Sequence, residues 1–109
     1  MDRPSRILVV EDSETQALKL QLMLEDEGCT VVCVATAERA IEEVSRIVPN
    51  LVIVDYHLPG VRGDELCRRI RMNMSTRGIA ILMLIQLPIL RGGSCCVRSD
   101  ARARRRHSP

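Results

Sequence analysis

Short runs of apolar residues alternate along the chain with longer stretches in which apolar positions recur every three or four residues. The runs span residues 6–10, 30–34, 51–55 and 79–84 and are rich in Val, Ile and Leu. A short β-branched run bounded by polar residues predicts a buried strand. The stretches after the first three runs place their apolar residues on one helical face and predict amphipathic helices. Strands and helices that alternate in this way predict an α/β fold, with a parallel sheet and helices on both faces.

Local signals set the ends of the predicted helices. Ser13 and Thr36 have the side chains that cap helix N-termini, and Gly28 stands where the first helix should stop. Pro49 breaks the second helix, and the third is expected over residues 63–72. The chain between residues 5 and 84 therefore predicts one domain of four strands and three helices.

The pattern stops after Leu84. A proline interrupts the next apolar residues, and from Arg91 onward Gly, Ser, Ala and Arg dominate without any apolar period. Residues 1–90 contain 10 Arg/Lys and 13 Asp/Glu, a net charge of −3, whereas residues 91–109 contain six Arg and one Asp, a net charge of +5. We therefore expect residues 85–109 to form a basic, disordered tail outside the domain.

Acidic residues stand at the ends of two predicted strands. Glu11 and Asp12 follow the first strand, and Asp55 ends the third. In parallel α/β sheets ligands bind at the carboxyl ends of the strands, so three carboxylates would meet in one crevice if the two strands are neighbours. Like charges this close raise one another's proton affinity unless a cation neutralises them, and oxygen ligands suit Mg²⁺. For one strand alone a solvated acid would be the simpler interpretation, but two strand ends favour a metal. These residues predict a Mg²⁺ site.

Four segments, taken in order, resemble one known family. They are Ile-Leu-Val-Val-Glu-Asp at the first strand, Leu-Val-Ile-Val-Asp at the third, Leu-Pro-Gly followed by Gly63, and Ile-Leu-Met-Leu at the fourth strand, with 43 positions from Asp12 to Asp55. Residues 6–84 in this way resemble the receiver domain of response regulators in two-component (phosphorelay) systems. The resemblance implies a flavodoxin-like, doubly wound sheet of five parallel strands in the order 2-1-3-4-5.

The resemblance also implies a function and a set of site residues. Asp55 would accept a phosphoryl group from a sensor histidine kinase or a phosphotransfer protein, and the domain would not be an enzyme in its own right. Mg²⁺ would be bound by Asp12 and Asp55 directly, by Glu11 through water and by the backbone carbonyl of His57. The expected location is the cytoplasm, because the chain begins without a leader peptide and has no apolar stretch long enough to span a membrane.

Two site residues that the resemblance implies are missing. Ile85 occupies the position after the fourth strand where the family has Ser or Thr. A Lys is expected after the fifth strand, but the only lysine is Lys19. His107 stands at about the separation from Asp55 expected for this Lys, but it lies in the basic tail. We therefore expect a receiver that is truncated or frameshifted after the fourth strand. That strand would then be an exposed sheet edge and a route to a homodimer.

Other functions fit the sequence less well. The chain could be a receiver relic that acts only as an interaction module, or its tail could bind nucleic acid weakly and without sequence specificity. A haloacid-type phosphatase would need a second aspartate at the position of His57, and a nucleotide-binding fold would need a Gly-rich loop after the first strand. Specific nucleic-acid binding and membrane association are not expected.

Overall fold

Five strands and three helices make up the part of the chain that the structure, a computed structural model, describes: residues 5–86 and 95–99. In chain order they are β1 (Arg6–Val10), α1 (Glu14–Asp26), β2 (Thr30–Val34), α2 (Ala37–Ile47), β3 (Leu51–Asp55), α3 (Gly63–Met72), β4 (Ala80–Gln86) and β5 (Cys95–Ser99). The three helices and first three strands have the predicted positions. Strand β4 begins one residue later than predicted and ends two residues later.

The strands form one sheet in the order β2-β1-β3-β4-β5. Strands β2, β1, β3 and β4 are parallel, and Val10 at the end of β1 pairs with Val54 near the end of β3. This arrangement confirms the flavodoxin-like fold predicted from the sequence. It also makes β1 and β3 direct neighbours, so their carboxyl ends share one edge of the sheet.

The core has two layers because alternate strand residues point to opposite faces of the sheet. On one face Leu8 and Val52 pack with residues of α2 and α3, such as Val44 and Leu66. On the other face the buried side chains are Ile7, Val9 and Ile53, with Leu20 and Leu24 of α1 packed against them. Burial on both faces explains why β1 and β3 are apolar without interruption.

The predicted caps hold the helix N-termini in place. The Ser13 Oγ accepts a hydrogen bond from the Gln16 N–H at 3.3 Å, and the Thr36 Oγ1 accepts one from the Arg39 N–H at 3.2 Å. Each bond satisfies a backbone donor that has no partner inside the helix. Both helices therefore start directly after the loops that leave β1 and β2. Within the described ranges, none of the helices has the length and apolar character of a membrane span.

Strand β5 differs from the parallel fifth strand that the resemblance implies. It pairs with β4 in the antiparallel direction, from Gln86 opposite Cys95 to Leu82 opposite Ser99. Eight residues separate the two strands. A parallel pair needs a crossover of about a dozen residues or more, whereas antiparallel strands can be joined by a short link. The length of this link accounts for the direction of β5.

This strand corrects two expectations. Strand β4 is not a free sheet edge, so the predicted homodimer through that edge loses its basis. The predicted disorder of residues 85–109 is wrong for two segments. Residues 95–99 form β5, and Ile85 and Gln86 belong to β4. The rest of the predicted tail, with His107 and the proposed nucleic-acid contacts, lies outside the described residues.

Val48 departs from the expected helical face of α2. It is the C-cap residue with φ 44° and ψ 72°, and its side chain is 51% exposed. A β-branched residue in this left-handed conformation is strained, because its Cβ crowds the backbone. The Val48 carbonyl accepts a hydrogen bond from the Arg6 guanidinium at 3.1 Å, which ties the end of α2 to the start of β1.

We expect Val48→Gly to raise the free energy of unfolding by about 1 kcal/mol, because glycine adopts the left-handed conformation without strain. Ser45→Gly is the matched control, since Ser45 is exposed inside α2. There glycine should lower the free energy of unfolding by about 0.5–1 kcal/mol. Urea unfolding of the three proteins measures both effects. A loss of stability in Val48→Gly equal to that in Ser45→Gly would contradict the assignment of strain.

Candidate functional site

Three carboxylates meet at the edge where β1 and β3 end. Glu11 and Asp12 follow the last residue of β1, and Asp55 is the last residue of β3. One oxygen from each carboxylate lies within 4.8 Å of an oxygen of the other two. The structure thus brings together the three acids that the sequence predicted to converge.

Glu11 is the most buried member of this acidic cluster. Its residue surface is 9% exposed, and its carboxylate accepts a hydrogen bond from the Ser13 N–H at 3.1 Å. Burial raises the pKa of Glu11 from 4.5 to about 7; the bond from Ser13 acts in the opposite direction, and the nearby Asp55 and Asp12 add to the rise. Near neutral pH Glu11 is therefore partly protonated, and a bound cation would favour loss of that proton.

The other two carboxylates are more accessible. Asp12 is exposed and Asp55 is partly buried. The Asp55 Oδ1 accepts a hydrogen bond from the His57 N–H at 3.1 Å, and the Tyr56 N–H donates to the Leu84 carbonyl of β4 at 2.9 Å. These bonds fix the backbone that directly follows Asp55. One carboxylate oxygen of Asp55 is oriented, and the residue remains partly accessible to solvent.

Gly63 allows α3 to begin directly against this strand end. Its N–H donates to the Tyr56 carbonyl at 2.9 Å. A Cβ at Gly63 would lie 2.8 Å from the Tyr56 Cα and 2.9 Å from the Asp55 carbonyl oxygen, both backbone atoms that cannot turn aside. The position requires glycine because two backbones meet there. Gly63 therefore supports the position of Asp55.

The remaining predicted site residues have different surroundings. Ile85 lies on β4 one residue beyond Leu84, the partner of Asp55 in the sheet register, and it offers only hydrocarbon to the site. Lys19 is on α1 and exposed. The metal-ligand role of the His57 carbonyl stays a prediction.

Sequence reasoning missed one basic residue that contacts Tyr56, the residue after Asp55. The guanidinium carbon of Arg62 lies 5.8 Å from the centre of the Tyr56 ring, and that ring also packs edge-to-face with the imidazole of His57 at 5.1 Å. The only signal in the sequence was the place of Arg62 directly before Gly63, the first residue of α3. A cation on a ring is a tertiary contact that spacing alone does not reveal.

Comparison with known proteins agrees with this geometry. Residues 7–86 match the model of the response regulator receiver domain, which covers most of the chain and both strand ends of the acidic cluster. The chain belongs to the receiver domain family. The match ends at the last residue of β4, so β5 lies outside the part that matches this family.

Individual receivers resemble the chain over the same region. The phosphate regulon transcriptional regulatory protein PhoB of Rhizobium meliloti (strain 1021) is 40% identical over 79 residues, which are 72% of this chain and 35% of that protein. The crystal structure of a sensor protein from Polaromonas sp. JS666 superimposes with a TM-score of 0.73 at 38% identity, over 77% of this chain and 66% of that one.

A third comparison involves a receiver attached to a kinase. The signal receiver domain of a signal transduction histidine kinase from Syntrophus aciditrophicus has a TM-score of 0.72 at 35% identity, over 76% of this chain and 63% of that one. The chain thus spans about a third of PhoB and about two thirds of these receiver structures.

We expect Gly63→Ala to lower the free energy of unfolding by about 1–3 kcal/mol, because the added methyl group forces α3 away from the end of β3. Asp64→Ala is the control at the next position of the same helix. Asp64 is exposed and makes only a surface ion pair, so its loss should change stability by no more than about 0.5 kcal/mol. Urea unfolding compares the two variants. Equal stability of Gly63→Ala and Asp64→Ala would show that the close contact is not a constraint.

The stability of the metal-free protein should fall as pH rises from about 4.5 to about 7. In this window an unfolded Glu11 has lost its proton while the folded residue still holds it, because its folded pKa is raised to about 7. The rise from 4.5 to about 7 sets a ceiling of about 3.5 kcal/mol, since one pKa unit corresponds to about 1.4 kcal/mol, and solvent screening at the cluster lowers the expected loss to about 1–2 kcal/mol. Glu11→Gln removes this titration. Urea unfolding in the presence of a chelator measures the free energy of unfolding of the original chain and of Glu11→Gln as a function of pH. The two curves should diverge between pH 4.5 and about 7, and parallel curves would contradict the raised pKa of Glu11.

Proposed function

We propose that this receiver takes part in a cytoplasmic phosphorelay in which Asp55 accepts a phosphoryl group from a sensor histidine kinase or a phosphotransfer protein. The observation that supports the proposal best is the acidic cluster at the ends of β1 and β3, where three carboxylate oxygens approach within 4.8 Å. Asp55 is the acceptor in this proposal because its carboxylate is oriented by the His57 N–H and is partly accessible to solvent.

The transfer exchanges one bond to phosphorus for another. A carboxylate oxygen of Asp55 forms a bond to phosphorus while the P–N bond to the donor histidine breaks. The donor imidazole keeps the electron pair of that bond and takes up a proton from solvent. The product on this chain is an acyl phosphate, and the carboxylate is consumed rather than regenerated. In this proposal the receiver is therefore a partner in the reaction and not an enzyme in its own right.

The donor set of the cluster fits Mg²⁺. Carboxylate oxygens are its preferred protein ligands. Burial raises the pKa of Glu11 most, and the neighbouring Asp55 and Asp12 add to the rise, which is the repulsion that a cation would relieve. Asp12, Asp55 and the backbone carbonyl of His57 would hold the ion, with Glu11 acting through water. When bound, Mg²⁺ neutralises charge on the carboxylates and the phosphoryl oxygens. The residues of the chain contribute the orientation of Asp55 and access from solvent.

A second candidate function rests on Ile85. Its hydrocarbon side chain cannot donate a hydrogen bond to a phosphoryl oxygen. An interaction module that binds a kinase partner without completing a phosphorylation response is consistent with this residue. The two candidates differ in whether Asp55 carries phosphate at all.

Incubation with acetyl phosphate and Mg²⁺ should add the mass of one phosphoryl group, as measured by intact-protein mass spectrometry. Asp55→Asn should abolish the addition, because an amide oxygen is too weak a nucleophile. Asp26→Asn is the matched control and should be labelled like the original chain, since Asp26 is exposed at the end of α1. A chelator should prevent labelling.

The alternatives give different results in the same experiment. Labelling that persists in Asp55→Asn would place the acceptor elsewhere and overturn the proposal. No labelling of the folded chain at any Mg²⁺ concentration would favour the interaction module.

A further inference from the structure

Arg62 places a positive charge against the ring of the residue that follows the proposed acceptor in the chain. Its guanidinium carbon lies 5.8 Å from the centre of the ring of Tyr56, the residue that directly follows Asp55. The side chain of Arg62 is 68% exposed, and its contact with the Asp64 carboxylate is long, at 3.4 Å. An exposed pair of this kind contributes little free energy. Arg62 can therefore exchange it for a stronger partner.

The other basic side chains that the structure describes are less available to this edge. Arg6 and Arg77 come before or at the start of strands, at the opposite edge of the sheet from the acidic cluster. Most of the others are engaged in ion pairs or hydrogen bonds: Arg39 with Glu42 and Glu43, Arg46 with Glu43, Arg68 and Arg69 with Glu65, and Arg71 with the carbonyls of Arg77 and Ile79.

Phosphorylation changes the charge balance at the cluster. A phosphoryl group on Asp55 would replace the single negative charge of its carboxylate with up to two next to Glu11 and Asp12, a net gain of about one, together with oxygens that accept hydrogen bonds strongly. Ile85 offers no donor to these oxygens. A guanidinium does, because its planar N–H groups can bind two phosphoryl oxygens at once.

We propose that Arg62 is the phosphate-positioning residue of this receiver, moving from Asp64 to the phosphoryl oxygens while the Tyr56 ring supports its guanidinium. The edge-to-face contact between Tyr56 and His57 holds that ring in place beside Asp55. Arg62 takes no part in bond making: the Asp55 oxygen forms the bond to phosphorus, and acetate leaves with the electron pair when acetyl phosphate is the donor. The proposal rests on Asp55 being the acceptor.

Two ligands of opposite charge test this role. Beryllofluoride attaches to a carboxylate and mimics a phosphoryl group, and its affinity at saturating Mg²⁺ can be followed by fluorine NMR. Arg62→Ala should weaken beryllofluoride binding about tenfold, the lower range for a charge-assisted hydrogen bond. Arg62→Lys should recover part of the loss, since it keeps the charge without the planar fork. Arg68→Ala, which removes an exposed arginine from the same helix, should bind like the original chain.

Mg²⁺ binding without beryllofluoride separates a charge effect from a structural one. Removal of a positive charge near the cluster should leave Mg²⁺ affinity unchanged or raise it by about twofold in Arg62→Ala, as measured by calorimetry. Damage to the strand end would weaken both ligands together.

The outcomes also distinguish this inference from the proposed function. If Asp55→Asn binds no beryllofluoride and Arg62→Ala binds it as tightly as Arg68→Ala does, Arg62 has no positioning role and Asp55 remains the acceptor. A parallel loss of Mg²⁺ and beryllofluoride affinity in Arg62→Ala would equally overturn the role. If Asp55→Asn still binds beryllofluoride, the proposed function itself fails.

Discussion

The parallel pairing of β1 with β3 is the constraint on which the candidate site depends. Val10 lies opposite Val54, so the residues that follow β1 and the residue that ends β3 emerge side by side. A shift of one residue in this register would move each buried side chain to the other face of the sheet. Apolar packing on both faces therefore fixes the positions of Glu11, Asp12 and Asp55 relative to each other. Burial of the core side chains supplies the free energy that assembles the site, and repulsion among the three carboxylates opposes this assembly.

That repulsion connects the chemistry of the cluster with its surroundings. Burial and two neighbouring carboxylates favour the protonated form of Glu11 and raise its pKa to about 7. A bound divalent cation would reduce the repulsion among the three carboxylates, and a phosphoryl group on Asp55 would increase it again. In our proposal the Arg62 guanidinium beside Tyr56 supplies the counter-charge for the second event, because it is positive, exposed and held only by a long ion pair with Asp64.

The sequence was sufficient for those parts of the molecule that depend on local signals. Strand β1, the Ser13 and Thr36 caps and the convergence of the acids follow from apolar runs, short polar side chains and the rule that ligands gather at carboxyl strand ends. The direction of β5 and the left-handed Val48 did not follow, for different reasons. The direction of β5 depends on how much chain is available to return to the sheet. Val48 continues the apolar period of α2, but the chain must turn there toward Pro49. The contact of Arg62 with Tyr56 arises only once α3 packs against β3.

The presence of a divalent cation at the ends of β1 and β3 can be tested directly by NMR with Mn²⁺ in place of Mg²⁺. A bound Mn²⁺ broadens the amide signals of nearby residues by paramagnetic relaxation. We predict that the signals of Glu11, Asp12 and Tyr56 disappear at low Mn²⁺ concentration while those of Glu25 and Asp26, at the far end of α1, persist until Mn²⁺ is in excess. Excess Mg²⁺ should restore the lost signals. Broadening that begins at Glu25 and Asp26, or is equal at all exposed acids, would contradict a metal site at these strand ends.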